Sequence, residues 1–298
     1  MQKYIIMRFK GIYKDKSLAS NLAIFFLLMF VSVTLHTLFA MVLISFFADH
    51  GMSLIHNQDL ANQQSVNYLK LMQLFSGVGL FITPTLVYSY LTGFDFKFNK
   101  IRRQEIILII AIMILIVPFI TLLLEWNMQI CFPEWLLVFD IDSEAIIDAF
   151  LKMGSLWDLL YTLLVIAVVP AIGEELFFRG YLQQKLYRWA RNSHIAILIT
   201  AFLFSIIHLD LQGIIPRFIL GILLGYIYYW SRNLWIPILA HFVNNAQAVI
   251  LSYSLFKVDA ERYFSFAEPK VDSMISLFSF ASVVLLLYIF HQSLITRE

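Results

Sequence analysis

A chain of 298 residues with a single cysteine, Cys131, can form no internal disulfide and no cysteine-based metal cluster. Set between Ile130 and Phe132, that cysteine reads as a small apolar residue in a loop, the usual behaviour of a free thiol. Charge is nearly as scarce. Asp, Glu, Lys and Arg make up 14% of the residues and sum to +1. A chain so balanced offers no basic face to neutralise phosphates, so nucleic acid is not an expected partner. No HExxH pair, internal repeat, low-complexity segment or soluble domain is present. What the sequence has instead is apolar length. Hydrophobic residues are 60% of the chain, where soluble domains hold about 45–50%, with about 25% charged. This is the composition of a polytopic membrane protein.

Residues 17–48 carry no charge at all. That run is too long for a cleaved signal peptide, whose apolar region covers about 7 to 15 residues, so it predicts an uncleaved first span near Asn21–Phe47. Further spans follow at Leu71–Leu91, bent by Pro84, and at Ile106–Leu124, with Pro118 inside. A fourth starts near Leu156, passes Pro170 and ends among Lys185, Arg188 and Arg191; the rest are Ser193–His208, Ile214–Trp230, Trp235–Phe256 and Met274–His291. Between the third and fourth, residues 125–158 hold seven acids and one Lys152, alternating with Ile146, Ile147, Phe150 and Leu151. An amphipathic helix lying at the membrane interface is expected there.

Cytoplasmic loops collect Lys and Arg. With the N-terminus inside, the inside segments hold 14 basic residues, among them Lys97, Lys100, Arg102 and Arg103. The outside segments and their helix ends hold six: Lys70, Lys152, Arg217, Lys257, Arg262 and Lys270. The expected fold is therefore an all-α bundle of about eight transmembrane helices with both termini cytoplasmic, multi-pass in the cell (plasma or inner) membrane. Residues 1–155 form the first three spans and an extracytoplasmic connector, 156–256 a polar-residue-bearing core, and 257–298 the last span.

Three groups of polar residues interrupt the apolar spans of the second half. A charge in a membrane helix costs at least about 2.5–3.5 kcal/mol on insertion scales, so Glu174, Glu175 and Arg179 are there for a reason. Glu175 and Arg179 stand i,i+4, where side chains on a helix meet. Glu174 lies about 100° round the helix from Glu175, so one carboxylate is compensated and the other is not. The uncompensated Glu174 is a candidate base or proton carrier. Phe204 and His208 form the second group; His241 and Asn245, again i,i+4, form the third. Each has a structural reading as well: an ion pair, an interfacial histidine, a polar link between helices. Gly221 and Gly225 form a GxxxG of the close-packing kind, and His36 and His291, alone on apolar spans, read as structural.

Glu174-Glu175-x-x-x-Arg179, Phe204-x-x-x-His208 and His241-x-x-x-Asn245, in that order, resemble the three motifs of the CPBP family. These are the CAAX-protease and bacteriocin-processing membrane proteins, also called Abi proteins, which include the eukaryotic prenyl-protein endopeptidase. The resemblance covers about residues 156–256. It implies an intramembrane protease of the glutamate type acting on a protein or peptide substrate without cofactor or metal. Glu174 would be the general base, His208 would help to hold and activate a water, and His241 and Asn245 would stabilise the oxyanion. Glu175, Arg179 and Phe204 would support the site.

Other readings remain open at this stage. A metal ion held by Glu174, His208 and His241 is the chemical rival, though zinc sites usually place two ligands close together on one helix. A non-catalytic scaffold that binds a partner protein would tolerate loss of Glu174 or His208. A proton-coupled transporter would call for inverted repeats and polar residues in spans one to three. Depth is a further question. At about 1.5 Å per residue, His241 and Glu174 should lie roughly 10–15 Å in from the cytoplasmic side and His208 nearer 20 Å.

Overall fold

The computed structural model describes residues 10–13, 17–47, 60–137, 144–258 and 272–296. The polar loop expected at 48–67 lies outside the described residues as far as Asp59. So do most of the mixed loop after Lys257 and the basic N-terminal residues Lys3, Arg8, Lys14 and Lys16. Among the described residues every regular element is helical. The helices are α1 (Leu18–Phe47), α2 (Gln63–Thr92), α3 (Arg103–Met128), α4 (Glu144–Leu151), α5 (Leu156–Ala190), α6 (Ser193–Ile206), α7 (Ile214–Ser231), α8 (Trp235–Val258) and α9 (Ser273–Ile295), with a single turn at Glu134–Leu137. Six helices are long and apolar enough to cross a membrane by length and composition; α6 is apolar but shorter. With α8, of 24 residues, they make the bundle of about eight spans that the apolar runs predict, a multi-pass membrane protein.

The helix starts follow the local sequence. Asn62 accepts from the Gln64 N–H ahead of α2, Asn192 from His194 and Ile195 ahead of α6, and Asp272 from Met274 ahead of α9. Ser155 and Asp158 cap each other reciprocally at the start of α5. Such caps satisfy amide donors that a helix leaves open. Gly93, at φ 65°, ends α2, a backbone setting that glycine takes without strain.

π-helical turns precede two of the prolines inside the spans. Val78–Ile82 is π-helical just ahead of Pro84, and Leu163–Val168 just ahead of Pro170. A third π stretch, Leu176–Leu182, follows the two glutamates. In α3 the break falls at Ile116, two residues before Pro118. Ser279 donates to the Leu115 carbonyl and Gln247 to the Met113 carbonyl at 3.0 Å, which attaches the break to α9 and α8.

Helices α5 and α8 sit at the centre. Helix α5 packs on α2, α6 and α8, while α3 packs on α7, α8 and α9. Helix α1 lies on α2, and much of its surface stays open: Phe26, Leu27, Phe30, Leu35 and Phe39 are exposed, as are Leu277, Phe278, Leu285 and Tyr288 of α9. Apolar side chains left outside at both edges are what a lipid-facing surface requires. The amphipathic reading of 125–158 survives in α4, whose Ala149 and Phe150 are buried against Val66 and Val165; residues 138–143 lie outside the described residues.

Two basic residues counted among the outside segments and their helix ends turn inward. Lys70, counted with the outside segments, is fully buried in α2, its Nζ donating to Thr162 Oγ1 at 2.8 Å and standing 5.6 Å from the Phe150 ring centre. Arg217, also counted outside, points into the polar cavity between the helices. Both stand near the end of an apolar run, where a charge count does not show which way a cation turns. The early spans are accordingly less bare of polar groups than the sequence suggests: Asn21, Ser65, Thr85 and Asn127 are buried as well.

Candidate active site

The polar site starts from a single turn of α5. Glu175 and Arg179 are both fully buried, and Arg179 Nη1 donates to Glu175 Oε1 at 2.6 Å. The i,i+4 spacing sets this pair, as read from the sequence. Arg179 also reaches out of its own helix. Its Nη2 donates to the Gly221 carbonyl at 3.0 Å, and its guanidinium carbon stands 4.8 Å from the Phe204 ring centre. One arginine thus ties α5 to α6 and α7. Gly221 allows the approach, because a Cβ there would meet the Ala201 Cα and Cβ at 3.0 Å.

Glu175 Oε1 accepts a second hydrogen bond, 2.9 Å from His241 Nδ1 on α8. A carboxylate paired with arginine can only accept, so Nδ1 carries the proton. The other imidazole nitrogen, Nε2, lies 4.0 Å from Glu174 Oε2. Glu174 Oε2 is itself buried and has no hydrogen-bond partner among the described residues. The split between the two glutamates is therefore physical: Glu175 is held by Arg179 and His241, and Glu174 is held by neither.

His208 reaches the same place by a different route. Helix α6 has 14 residues, about 21 Å at 1.5 Å each, against a hydrocarbon core of about 30 Å. It stops at Ile206, and Leu209 at φ 48° turns the chain back. Asn127 of α3 clamps that turn, donating to the Leu211 carbonyl and accepting from the Ile215 N–H, both at 2.8 Å. Ser205 donates to the Ile214 carbonyl across it. The short helix answers the depth question, because His208 sits at a turn inside the bundle and shares a cavity with Glu174 and His241. His208 Nδ1 is 2.8 Å from the Phe204 carbonyl. A carbonyl can only accept, so the neutral ring leaves Nε2 with a lone pair. The Phe204 ring stands edge-on to both imidazoles, 5.2 Å from His208 and 5.8 Å from His241.

Asn245 Nδ2 donates to the Ile166 carbonyl at 3.0 Å, and the Asn245 Oδ1 accepts from Asn244 at 3.1 Å. Ile166 lies four residues before Pro170, whose ring nitrogen has no hydrogen for that carbonyl. Asn245 thus links α8 to the proline-disturbed turn of α5 and keeps its second amide hydrogen.

Glu174, His208, His241 and Asn245 line one cavity of about 130 Å³, with Phe204, Arg217, Asn244 and three apolar side chains. Sequence reading missed two of the polar members. Arg217 is fixed by Asp210, Nη2 to Oδ2 at 2.6 Å, and Asp210 Oδ1 accepts from the Gly213 N–H. The signal in the sequence was a lone arginine entering an apolar run seven residues after an aspartate. Asn244 had only its place beside Asn245. Among the described residues no group of three or more His, Cys, Asp or Glu is arranged to hold a metal ion.

The fold and site together define a class: a helical membrane protein with a buried carboxylate oxygen that no described residue bonds, two imidazoles and an amide around one polar cavity. Residues 156–247 match the family model described as Rce1-like, type II CAAX prenyl endopeptidase. Over 110 residues the chain is 32% identical to the "Putative membrane peptidase YdiL" of Bacillus subtilis (strain 168), a stretch equal to 37% of this chain and 42% of the relative. The match spans less than half of that relative's length. No solved structure matches the chain. The family model covers the stretch that bears the three motifs, and its description agrees with the family they resemble.

Proposed function

We propose that the chain is an intramembrane endopeptidase of the metal-independent glutamate type that hydrolyses a peptide bond of a protein or peptide substrate. The reading rests on one observation: Glu174, whose buried Oε2 has no hydrogen-bond partner among the described residues, lines the same cavity as His208, His241 and Asn245. A water there would be held by Glu174 and by the lone pair of His208 Nε2. Glu174 takes a proton from the water as its oxygen attacks the scissile carbonyl. The carbonyl oxygen becomes an oxyanion facing the second amide hydrogen of Asn245 and the guanidinium of Arg217. His241 Nε2 borders Glu174, so the proton taken up can pass between them and on to the leaving nitrogen when the C–N bond breaks. Arg179 and Glu175 position His241, and Phe204 holds His208 through its carbonyl.

The test is cleavage of a peptide library, with and without a C-terminal prenyl group, by the full chain purified in detergent. Glu174→Gln is expected to lower cleavage by about 10² to 10⁴-fold, the usual contribution of a positioned base. Equal cleavage by both forms removes Glu174 from the chemistry. Loss of wild-type cleavage in a chelator, restored by zinc, replaces this mechanism with a metal-dependent one. The prenylated and plain arms decide the substrate class.

A further inference from the structure

At the end of the bundle opposite the α6–α7 turn lies a second concavity that the peptidase reading does not use. Lys97, Arg188 and Arg232 line a cavity of about 220 Å³ with Gln183, Gln184, Tyr187, Ser193, Tyr228 and Tyr229. Lys97, Gln184 and Arg188 are also walls of an adjoining cavity of about 230 Å³, which adds Lys185 and Asp95. Basic residues at the end of a bundle are ordinary as a topology signal. Three features set these apart.

First, they converge and are not neutralised. No described carboxylate lies within ion-pair distance of any of the four cations. Second, their charged heads stand over aromatic rings: the Arg232 guanidinium is 5.0 Å from the Tyr229 ring centre, that of Arg188 5.8 Å from Phe94, and the Lys185 ammonium 5.9 Å from both Tyr88 and Tyr181. Arg232 also holds φ 49° at the end of α7, a left-handed position where glycine would be relaxed and another residue is strained. Third, one lining residue, Gln183, has a buried acceptor that no described residue satisfies. Gln183 is 5% exposed and its Oε1 has no hydrogen-bond partner, while its Nε2 is used on the Gly225 carbonyl.

Cations that gather around a concavity call for an anion, and a buried acceptor in its lining calls for a hydroxyl or amine on the same molecule. We propose that this basic concavity is a binding site for a phosphate ester bearing a hydroxyl group, the chemistry of a glycerol phosphate headgroup. Pockets of this kind between membrane helices suit anionic lipid headgroups. A lipid bound there would stitch the 94–100 segment to α5 and α7 at the membrane surface. Lys97 already offers its carbonyl to the Leu234 N–H at 2.9 Å, so the segment is in place to receive it.

The experiment titrates the full chain in neutral detergent with dioctanoyl phosphatidylglycerol, dioctanoyl phosphatidylcholine or glycerol 1-phosphate, reading the thermal unfolding midpoint. A ligand that binds only the folded state raises that midpoint with concentration. The phosphatidylglycerol is expected to raise it and the phosphatidylcholine not to. The double variant Arg188→Gln/Arg232→Gly should weaken the phosphatidylglycerol response roughly thirtyfold in concentration, for two lost cations. Its own midpoint without lipid should match or exceed wild type, because glycine relieves the strained turn. A rise with glycerol 1-phosphate as well means that the phosphate ester alone is read; a rise with the lipid alone means that the tails are needed. Equal responses to the two lipids, or a wild-type response from the double variant, overturns the proposal.

Discussion

Replacing Arg179 by Gln removes the cation that the whole polar site leans on. At 2.6 Å and an effective dielectric of about 20, the attraction between Arg179 and Glu175 is about 6 kcal/mol. Several kcal/mol per ion were lost on leaving water, so little of that is net gain. The consequence is an asymmetry. Arg179→Gln alone leaves Glu175 buried, charged and opposed only by His241, and is expected to destabilise the fold by about 3–5 kcal/mol. The double variant Arg179→Gln/Glu175→Gln leaves no charge stranded and should cost about 1–2 kcal/mol, the worth of the hydrogen bonds lost. The singles and the double should therefore differ from additivity by at least about 2 kcal/mol. Equilibrium unfolding in mixed detergent micelles with increasing dodecyl sulfate measures all three. Peptide cleavage by the double variant should stay low while its stability recovers, because His241 Nδ1 then faces an amide instead of a carboxylate. Additive losses, or a double variant as unstable as the worse single, would refute the account of the pair.

Gly221→Ala puts a methyl group 3.0 Å from the Ala201 backbone; a loss of about 1–3 kcal/mol is expected, with cleavage falling because the Arg179 bond to the Gly221 carbonyl lengthens. Asn245→Leu leaves the Ile166 carbonyl without its side-chain donor and should cost about 0.6–1.7 kcal/mol; adding Pro170→Ala, which supplies a backbone N–H to that carbonyl, should restore the unfolding midpoint and leave cleavage low. Thr162→Val strands the buried Lys70 ammonium and should destabilise by about 1–3 kcal/mol, whereas Lys70→Met/Thr162→Val should be near neutral; both are read in the same unfolding assay.

The pairing of Arg179 with Glu175 and not with Glu174 was legible because an i,i+4 pair depends on helix geometry alone. The spans were legible for the same kind of reason, since apolar length and scarce charge are local properties. The level meeting of His208 with Glu174 was not. It depends on α6 ending early, and the groups that end it, Leu209 in a left-handed turn and Asn127 from α3, are 82 residues apart in the chain. That Lys70 and Arg217 turn inward was not legible either, because a charge count sees only a cation at a helix end, whereas packing gives Lys70 the buried Thr162 hydroxyl and Arg217 the part-buried Asp210 carboxylate. The π-helical turns had a hint in Pro84 and Pro170 but none at Leu176–Leu182, where the aromatic packing of Phe177, Phe178 and Tyr181 has no local signature.

The early stop of α6 reaches beyond the protein. Full-length neighbours fix a normal membrane thickness around most of the circumference, while one sector offers about 21 Å of apolar height. Acyl chains beside that sector must shorten or splay to match it, at a modest cost for each ångström of mismatch. The molecule should therefore thin the bilayer next to the cavity lined by Glu174, His208 and His241, and partition toward thin membranes over thick ones.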